Sequence, residues 1–157
     1  MSGVVVDIFD KGELEFLKQL VKHKAEFMIV GLSAAALQGA PVITQDIDLW
    51  FKKVKSKAME KALRAVDGAY VSSFGLNAPG FAGKNVALFD LVVSMSGLDS
   101  FSKERKNTIQ ISLGSFEVSV LKLERIIVSK RAANREKDRL VLKVLEDSLL
   151  TLRNIKK

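Results

Sequence analysis

Three aspartates are the side chains in this sequence best suited to chemistry. Asp46 and Asp48 stand in the run Thr44-Gln45-Asp46-Ile47-Asp48-Leu49-Trp50. Alternate side chains of a strand share a face, so the two carboxylates point one way while Ile47, Leu49 and Phe51 point the other, into the core. Like charges side by side make it costly to ionise both. A divalent cation removes that conflict, and Mg²⁺ takes hard oxygen ligands, one or two carboxylates together with phosphate oxygens and water. A solvent-facing acidic strand is the plain alternative for so short a motif. The third carboxylate, Asp90, lies inside Val86-Ala87-Leu88-Phe89-Asp90-Leu91-Val92-Val93. A charge within an apolar, buried strand is expensive unless it is paired or binds metal. Either a lysine or arginine covers it, or it is a third ligand on a neighbouring strand that faces the same way as Asp46 and Asp48.

A second feature precedes the acidic strand. Gly31-Leu32-Ser33 falls between an apolar run and a helix-forming run. Free backbone N–H groups and a partial positive charge at a helix N-terminus attract anions. Glycine permits close backbone approach, and a serine hydroxyl can donate to a phosphate. An ordinary strand-to-helix turn with Ser33 as N-cap reads the same residues without a ligand.

The elements that must position these groups follow from periodicity. Gly12–Lys24 has Leu14, Leu17, Leu20 and Val21 on one helical face, with Phe16 beside them. Phe27–Val30 reads as a short buried strand, ended by Gly31. Ser33–Leu37 is helical, closed by Gly39 and Pro41. Asp46–Phe51 is the next strand, and Ser56–Val66 a helix with Met59, Ala62, Leu63 and Val66 inward. Gly75–Gly83 reads as a loop and Asn85–Val93 as a strand. Thr108–Leu113 and Phe116–Val120 alternate on either side of Gly114-Ser115, a hairpin signal. From Leu121 onward the chain reads as helical, in two pieces broken near Asn134. This order predicts an α+β fold, a mixed sheet with flanking helices. The expected organisation is a single domain over residues 1–157 whose C-terminal part, from about 121, is helical.

Composition narrows the chemistry. A hydrophobic share of 48% supports a real core, and the absence of cysteine removes disulfides, thiolate nucleophiles and zinc–sulfur sites. The single histidine, His23, sits among lysines and reads as a surface residue. No apolar run reaches the roughly 18 residues of a membrane span. The start Met1-Ser2-Gly3-Val4-Val5-Val6-Asp7 lacks the pattern of a signal peptide, so a soluble, cytoplasmic protein is expected. The formal charge of +7 is concentrated in Lys52–Lys61, Lys103–Lys106 and the stretch from Lys122 onward. It suits either a solvated basic face or a surface for anionic partners.

Together these pieces resemble the DNA polymerase β-like nucleotidyltransferases. The carrying residues are Val30-Gly31-Leu32-Ser33-Ala34-Ala35, then Thr44-Gln45-Asp46-Ile47-Asp48-Leu49, then the distant Asp90. Small prokaryotic members related to the AbiEii-type toxins look most similar. Their late lysine, basic stretch and basic–Asp pair match Lys130-Arg131-Ala132-Ala133-Asn134-Arg135-Glu136-Lys137-Asp138. The resemblance runs roughly from Phe27 to Leu145. Leu32 stands where such proteins carry a second glycine or a serine, and Ser33 lies one position on.

The resemblance implies a nucleotidyltransferase-like fold and a Mg²⁺-dependent (or Mn²⁺-dependent) transfer of a nucleoside monophosphate from an NTP to an RNA or protein hydroxyl. Asp46 and Asp48 would hold Mg²⁺ on the β- and γ-phosphates. Asp90 would help hold a second metal and activate the acceptor hydroxyl. Gly31 and Ser33 would grip the triphosphate, with Thr44 beside them. Lys130 would neutralise phosphate charge, and Asp138 would orient Lys130 or a basic neighbour. For these last two, exposed helix charges are the alternative. A module that binds a nucleotide or a partner on the same fold without turnover is the second function class. Neither acceptor nor oligomeric state follows from the sequence.

Overall fold

The computed structural model describes residues 8–73 and 75–155, so the segment Met1–Asp7 and the last two lysines lie outside the described residues. Helix α1 (Lys11–Lys22) begins at a capping box: the Asp10 carboxylate accepts from Glu13 N–H at 2.8 Å, and Glu13 accepts from Asp10 N–H at 3.0 Å. Its inward face buries Phe16, Leu17 and Leu20. Strand β1 (Phe27–Val30) is buried at every position and passes directly into α2 (Gly31–Leu37). Strand β2 (Ile47–Phe51) follows, then α3 (Lys57–Ala65), capped by Ser56 Oγ accepting from Met59 N–H.

The Gly75–Gly83 region, expected as a loop, contains half of a small two-stranded sheet. Strand β3 (Ala69–Val71) pairs antiparallel with β4 (Gly80–Ala82). Three-residue strands are too short to show alternation in sequence. What secures β4 is Phe81, whose ring lies edge-on to Phe16 at 5.6 Å and to Phe51 at 6.1 Å. The strand expected at Asn85–Val93 is shorter than its apolar run: Lys84–Val86 forms a 3₁₀ turn, and β5 is confined to Phe89–Val92.

A short helix α4 (Phe101–Glu104) precedes the hairpin of β6 (Thr108–Ser112) and β7 (Glu117–Leu121), which forms as read from the sequence. The remaining helices are α5 (Leu123–Ala133) and α6 (Glu136–Ile155). They break at Asn134, whose left-handed backbone (φ 50°, ψ 35°) ends α5. Leu121 belongs to β7 rather than to a helix.

The main sheet has five strands in the order β5-β2-β1-β7-β6. β1 is antiparallel to β2 and parallel to β7, β2 is parallel to β5, and β6 is antiparallel to β7. The architecture is therefore α+β, a mixed sheet with flanking helices. Ile29, Leu49, Val120, Leu17, Leu63 and Ile126 are among the fully buried core side chains. Among the described residues no helix is long and apolar enough to cross a membrane.

Candidate functional site

The acidic residues gather where β1 ends and β2 begins. Antiparallel pairing sets Val30 opposite Asp48, and parallel pairing sets Asp48 opposite Asp90. Register partners on neighbouring strands point to the same face, so Asp48 and Asp90 stand together. Asp46 lies just before β2, in a bend fixed by Thr44, whose hydroxyl donates to the Asp46 carbonyl at 2.5 Å. Thr44 thus braces the approach to the carboxylates through the backbone.

Asp90 differs from its expectation in one respect. It is exposed, because β5 is an edge strand of the sheet. Its neighbours Phe89 and Val86 supply the burial that made the run look wholly interior. Exposure removes the need for a covering lysine or arginine.

The charges of the three carboxylates act on one another. Burial, then the charges of Asp90 and Asp46, push the Asp48 carboxyl above its ordinary value of 3.8, against the pull of Lys130 and Lys137. Burial and then Asp46 push Asp90 up as well. Among the described residues no three His, Cys, Asp or Glu side chains converge as a ready metal cage. The donor set still suits Mg²⁺ chemically: hard oxygens on one face, destabilised by mutual repulsion. Mg²⁺ retains waters and takes few protein carboxylates, with substrate phosphates completing its shell.

Gly31 is tied to Asp48 by shape. Its backbone has φ +68°, a left-handed conformation that favours glycine. A Cβ built there would fall 2.5 Å from Asp48 Oδ2 and 3.3 Å from its Cγ. The turn therefore leaves room for the carboxylate itself. Ser33 does not stand free in this turn. It is the third residue of α2, its side chain is buried, and its hydroxyl donates to the Val30 carbonyl at 3.1 Å. Ser33 braces the β1–α2 junction, and its hydroxyl is turned inward.

Helix α5 supplies the opposite wall. Ile126, Ser129, Lys130 and Ala133 follow the 3, 4, 7 spacing of one helical face. With Gly31, Asp48, Arg135 and the residues after β5 they line a cleft of about 360 Å³. Lys130 is largely buried rather than an exposed helix lysine, and its Nζ lies 3.3 Å from Asp138 Oδ1. Asp138 is wholly buried, not a solvated helix charge. It also accepts from Arg135 Nε at 2.7 Å, Arg135 Nη2 at 3.1 Å and the Arg135 backbone N–H at 3.0 Å. Burial alone would raise the Asp138 carboxyl, but Arg135 and Lys130 hold it down at about 2. The buried carboxylate thus fixes two cations that line the cleft together with Asp48.

The last wall is the segment after β5, where Ser94, Met95 and Ser96 line the cleft. Two fastenings hold it against α5. A Cβ at Gly97 (φ +73°) would fall 2.5 Å from Ala132 Cβ, so only glycine lets the chain approach the helix so closely. Beyond it, buried Glu104 accepts from Asp99 N–H at 2.9 Å and pairs with Arg125 of α5 through two bonds of 2.9 and 2.6 Å. Arg125, then the Asn107 and Asp99 donors, hold the Glu104 carboxyl down at about 2 despite burial.

The structure thus brings Gly31, Asp46, Asp48, Asp90, Lys130 and Asp138 to one region and gives Ser33 and Thr44 bracing contacts. Sequence reasoning did not single out Arg135, Ser129 or the Ser94–Ser96 wall. The i, i+3 spacing of Arg135 and Asp138 was a usable signal for the first. The others depend on which face of α5 turns inward. Away from the site much of the positive charge is paired: Arg105 with Glu26, Arg131 with Glu146, Lys143 with Asp147 and Arg153 with Glu124.

In comparisons with known proteins, no protein-family model and no curated protein matches this chain.

Proposed function

We propose that this protein is a Mg²⁺-dependent nucleotidyltransferase that moves a nucleoside monophosphate from an NTP to a hydroxyl of an RNA or protein acceptor. One observation carries the reading: Asp48, in register with Asp90 and fitted against Gly31, shares a cleft with Lys130 and Arg135, two cations fixed by buried Asp138. Carboxylates on one wall and oriented cations on the other suit a ligand that carries both a metal ion and phosphate charge.

Asp46 and Asp48 are the residues that would hold the metal, with Asp90 beside them. Bound Mg²⁺ supplies charge neutralisation and polarisation of the transferring phosphoryl group. Lys130 and Arg135 hold the phosphate oxygens in place, and Gly31 leaves room for the Asp48 carboxylate against the turn. The acceptor hydroxyl oxygen attacks the α-phosphorus while the bond to pyrophosphate breaks. Asp90, exposed at the sheet edge and with a raised pKa, takes the hydroxyl proton.

A binding module without turnover is the second reading. It is favoured by one observation, the Ser33 hydroxyl committed to the Val30 carbonyl instead of facing a phosphate. Labelled NTPs incubated with Mg²⁺ and mixed RNA or protein acceptors separate the two. The enzyme transfers label, and Asp46→Asn or Asp48→Asn lowers the rate at least ~100-fold. Near wild-type transfer by either variant would refute the assignment.

A further inference from the structure

Ser129 is a buried polar residue that lines the cleft and has no hydrogen-bond partner among the described residues. It is only 6% exposed. Buried hydroxyls are nearly always hydrogen-bonded, and other hydroxyls in this chain obey that rule. Buried Ser33 donates to the Val30 carbonyl at 3.1 Å, and half-buried Ser148 to the Val144 carbonyl at 2.8 Å. Ser129 makes no such bond back along α5 or to any other described residue. Nor is its oxygen sealed away. Trp50 Nε1 is the one fully enclosed side-chain polar atom without a partner among the described residues, whereas Ser129 lines the cleft.

Its surroundings name the missing partner. Ile126 lies one turn before it on the same face, fully buried, and Ala133 one turn after; neither offers a polar atom from its side chain. Lys130 is the next residue, Asp48 and Gly31 stand on the opposite wall, and Arg135 closes the same cleft. A hydroxyl donor beside two oriented cations suits an anionic oxygen. A phosphate oxygen between them would accept from Ser129 while Lys130 and Arg135 balance its charge.

We propose that Ser129 is a ligand-contacting residue whose Oγ–H donates to a phosphate oxygen of a nucleotide bound in this cleft. The inference rests on the nucleotide-site reading and adds to it a neutral donor on α5, replacing the contact that buried Ser33 does not offer.

The test compares Ser129→Thr with Ser129→Val, side chains of nearly equal shape that differ by the hydroxyl, and adds Ser129→Ala. Binding of Mg²⁺–ATP and of Mg²⁺–tripolyphosphate to the full chain is read by calorimetry, with melting of each ligand-free variant measured alongside. The inference predicts about tenfold weaker binding of both ligands by Val than by Thr, one charge-assisted hydrogen bond. It predicts a similar loss in Ala, whose ligand-free melting temperature is unchanged or higher because alanine favours the helix. Equal affinities of Thr and Val, with Ala binding like wild type, would overturn it. A loss for ATP but not for tripolyphosphate would overturn the phosphate assignment. Failure of the wild-type chain to bind either ligand strikes instead at the nucleotide site on which the inference rests.

Discussion

A Cβ on Gly31 would fall 2.5 Å from Oδ2 of Asp48, so the turn after β1 and the carboxylate of β2 occupy one shared space. Gly31→Ala therefore meets two penalties. A side chain at φ +68° costs about 1–2 kcal/mol, and Asp48 must move aside. The expected outcome is a melting temperature lower by several degrees together with weakened Mg²⁺–NTP binding. A variant that melts and binds like wild type would show that the carboxylate does not depend on this turn.

Asp48 and Asp90 stand side by side at a cost that pH reveals. Both carboxyls are raised above 3.8, chiefly by burial and then by neighbouring carboxylates. Folding thus favours their protonated forms. Their contribution to stability is full below 3.8 and is lost as pH climbs through the raised values. Asparagine cannot ionise, so metal-free Asp48→Asn should melt higher than wild type at neutral pH, and the gap should close as pH falls toward 3.8. Melting curves from pH 3.5 to 8 without divalent cations measure it. A gap that widens on acidification would contradict the arrangement.

Asp138 has the opposite sign. Its carboxyl is held at about 2 by Arg135 and Lys130, below its ordinary 3.8. The stability it confers is present above 3.8 and lost as pH falls toward 2. At neutral pH Asp138→Asn leaves Lys130 beside a neutral amide in a buried setting and should cost about 3 kcal/mol. Lys130→Ala should lower both stability and nucleotide affinity, since the lysine is paired inside the fold. Lys137→Ala, on an exposed side chain that makes no ion pair among the described residues, should change stability little. Denaturant melts of the three variants check the order; equal stability losses for Lys130 and Lys137 would contradict it.

How far the sequence revealed this site depends on the kind of interaction involved. Alternation marked Asp48 as a polar position in a strand whose neighbours Ile47 and Leu49 are buried, because a strand's period is local information, whereas Asp46, expected in the same strand, falls in the bend before Ile47. The β6–β7 hairpin and the break at Asn134 were legible for the same reason. The exposure of Asp90 was not, since an edge strand and a central strand of equal apolarity look alike until the sheet order β5-β2-β1-β7-β6 is known. The settings of Ser33 and Lys130, each left with two readings by the sequence, are decided by contacts over short and middle range, with the Val30 carbonyl and with Asp138. The wall of Ser94 to Gly97 depends on Gly97 meeting Ala132, a long-range packing event with no local signature. The same holds for β3 and β4, whose three-residue strands are secured by Phe81 rather than by pattern.

The most direct test of the central claim is the thermal shift of the full chain with Mg²⁺ and NTP, alone and together. Because Mg²⁺ takes few protein carboxylates and fills its shell with phosphate oxygens and water, the proposed site has metal and phosphate complete each other's ligand set. At a hundredfold excess over Kd, a ligand that binds only the native state adds about 2.7 kcal/mol, a shift on the order of 5–10 °C for a chain of this size. The prediction is a clear shift with Mg²⁺ plus NTP, a small one with NTP alone, and none in the Asp46→Asn/Asp48→Asn double variant. No shift with any of the four NTPs, in Mg²⁺ or in Mn²⁺, would contradict a nucleotide site between Asp48 and Lys130.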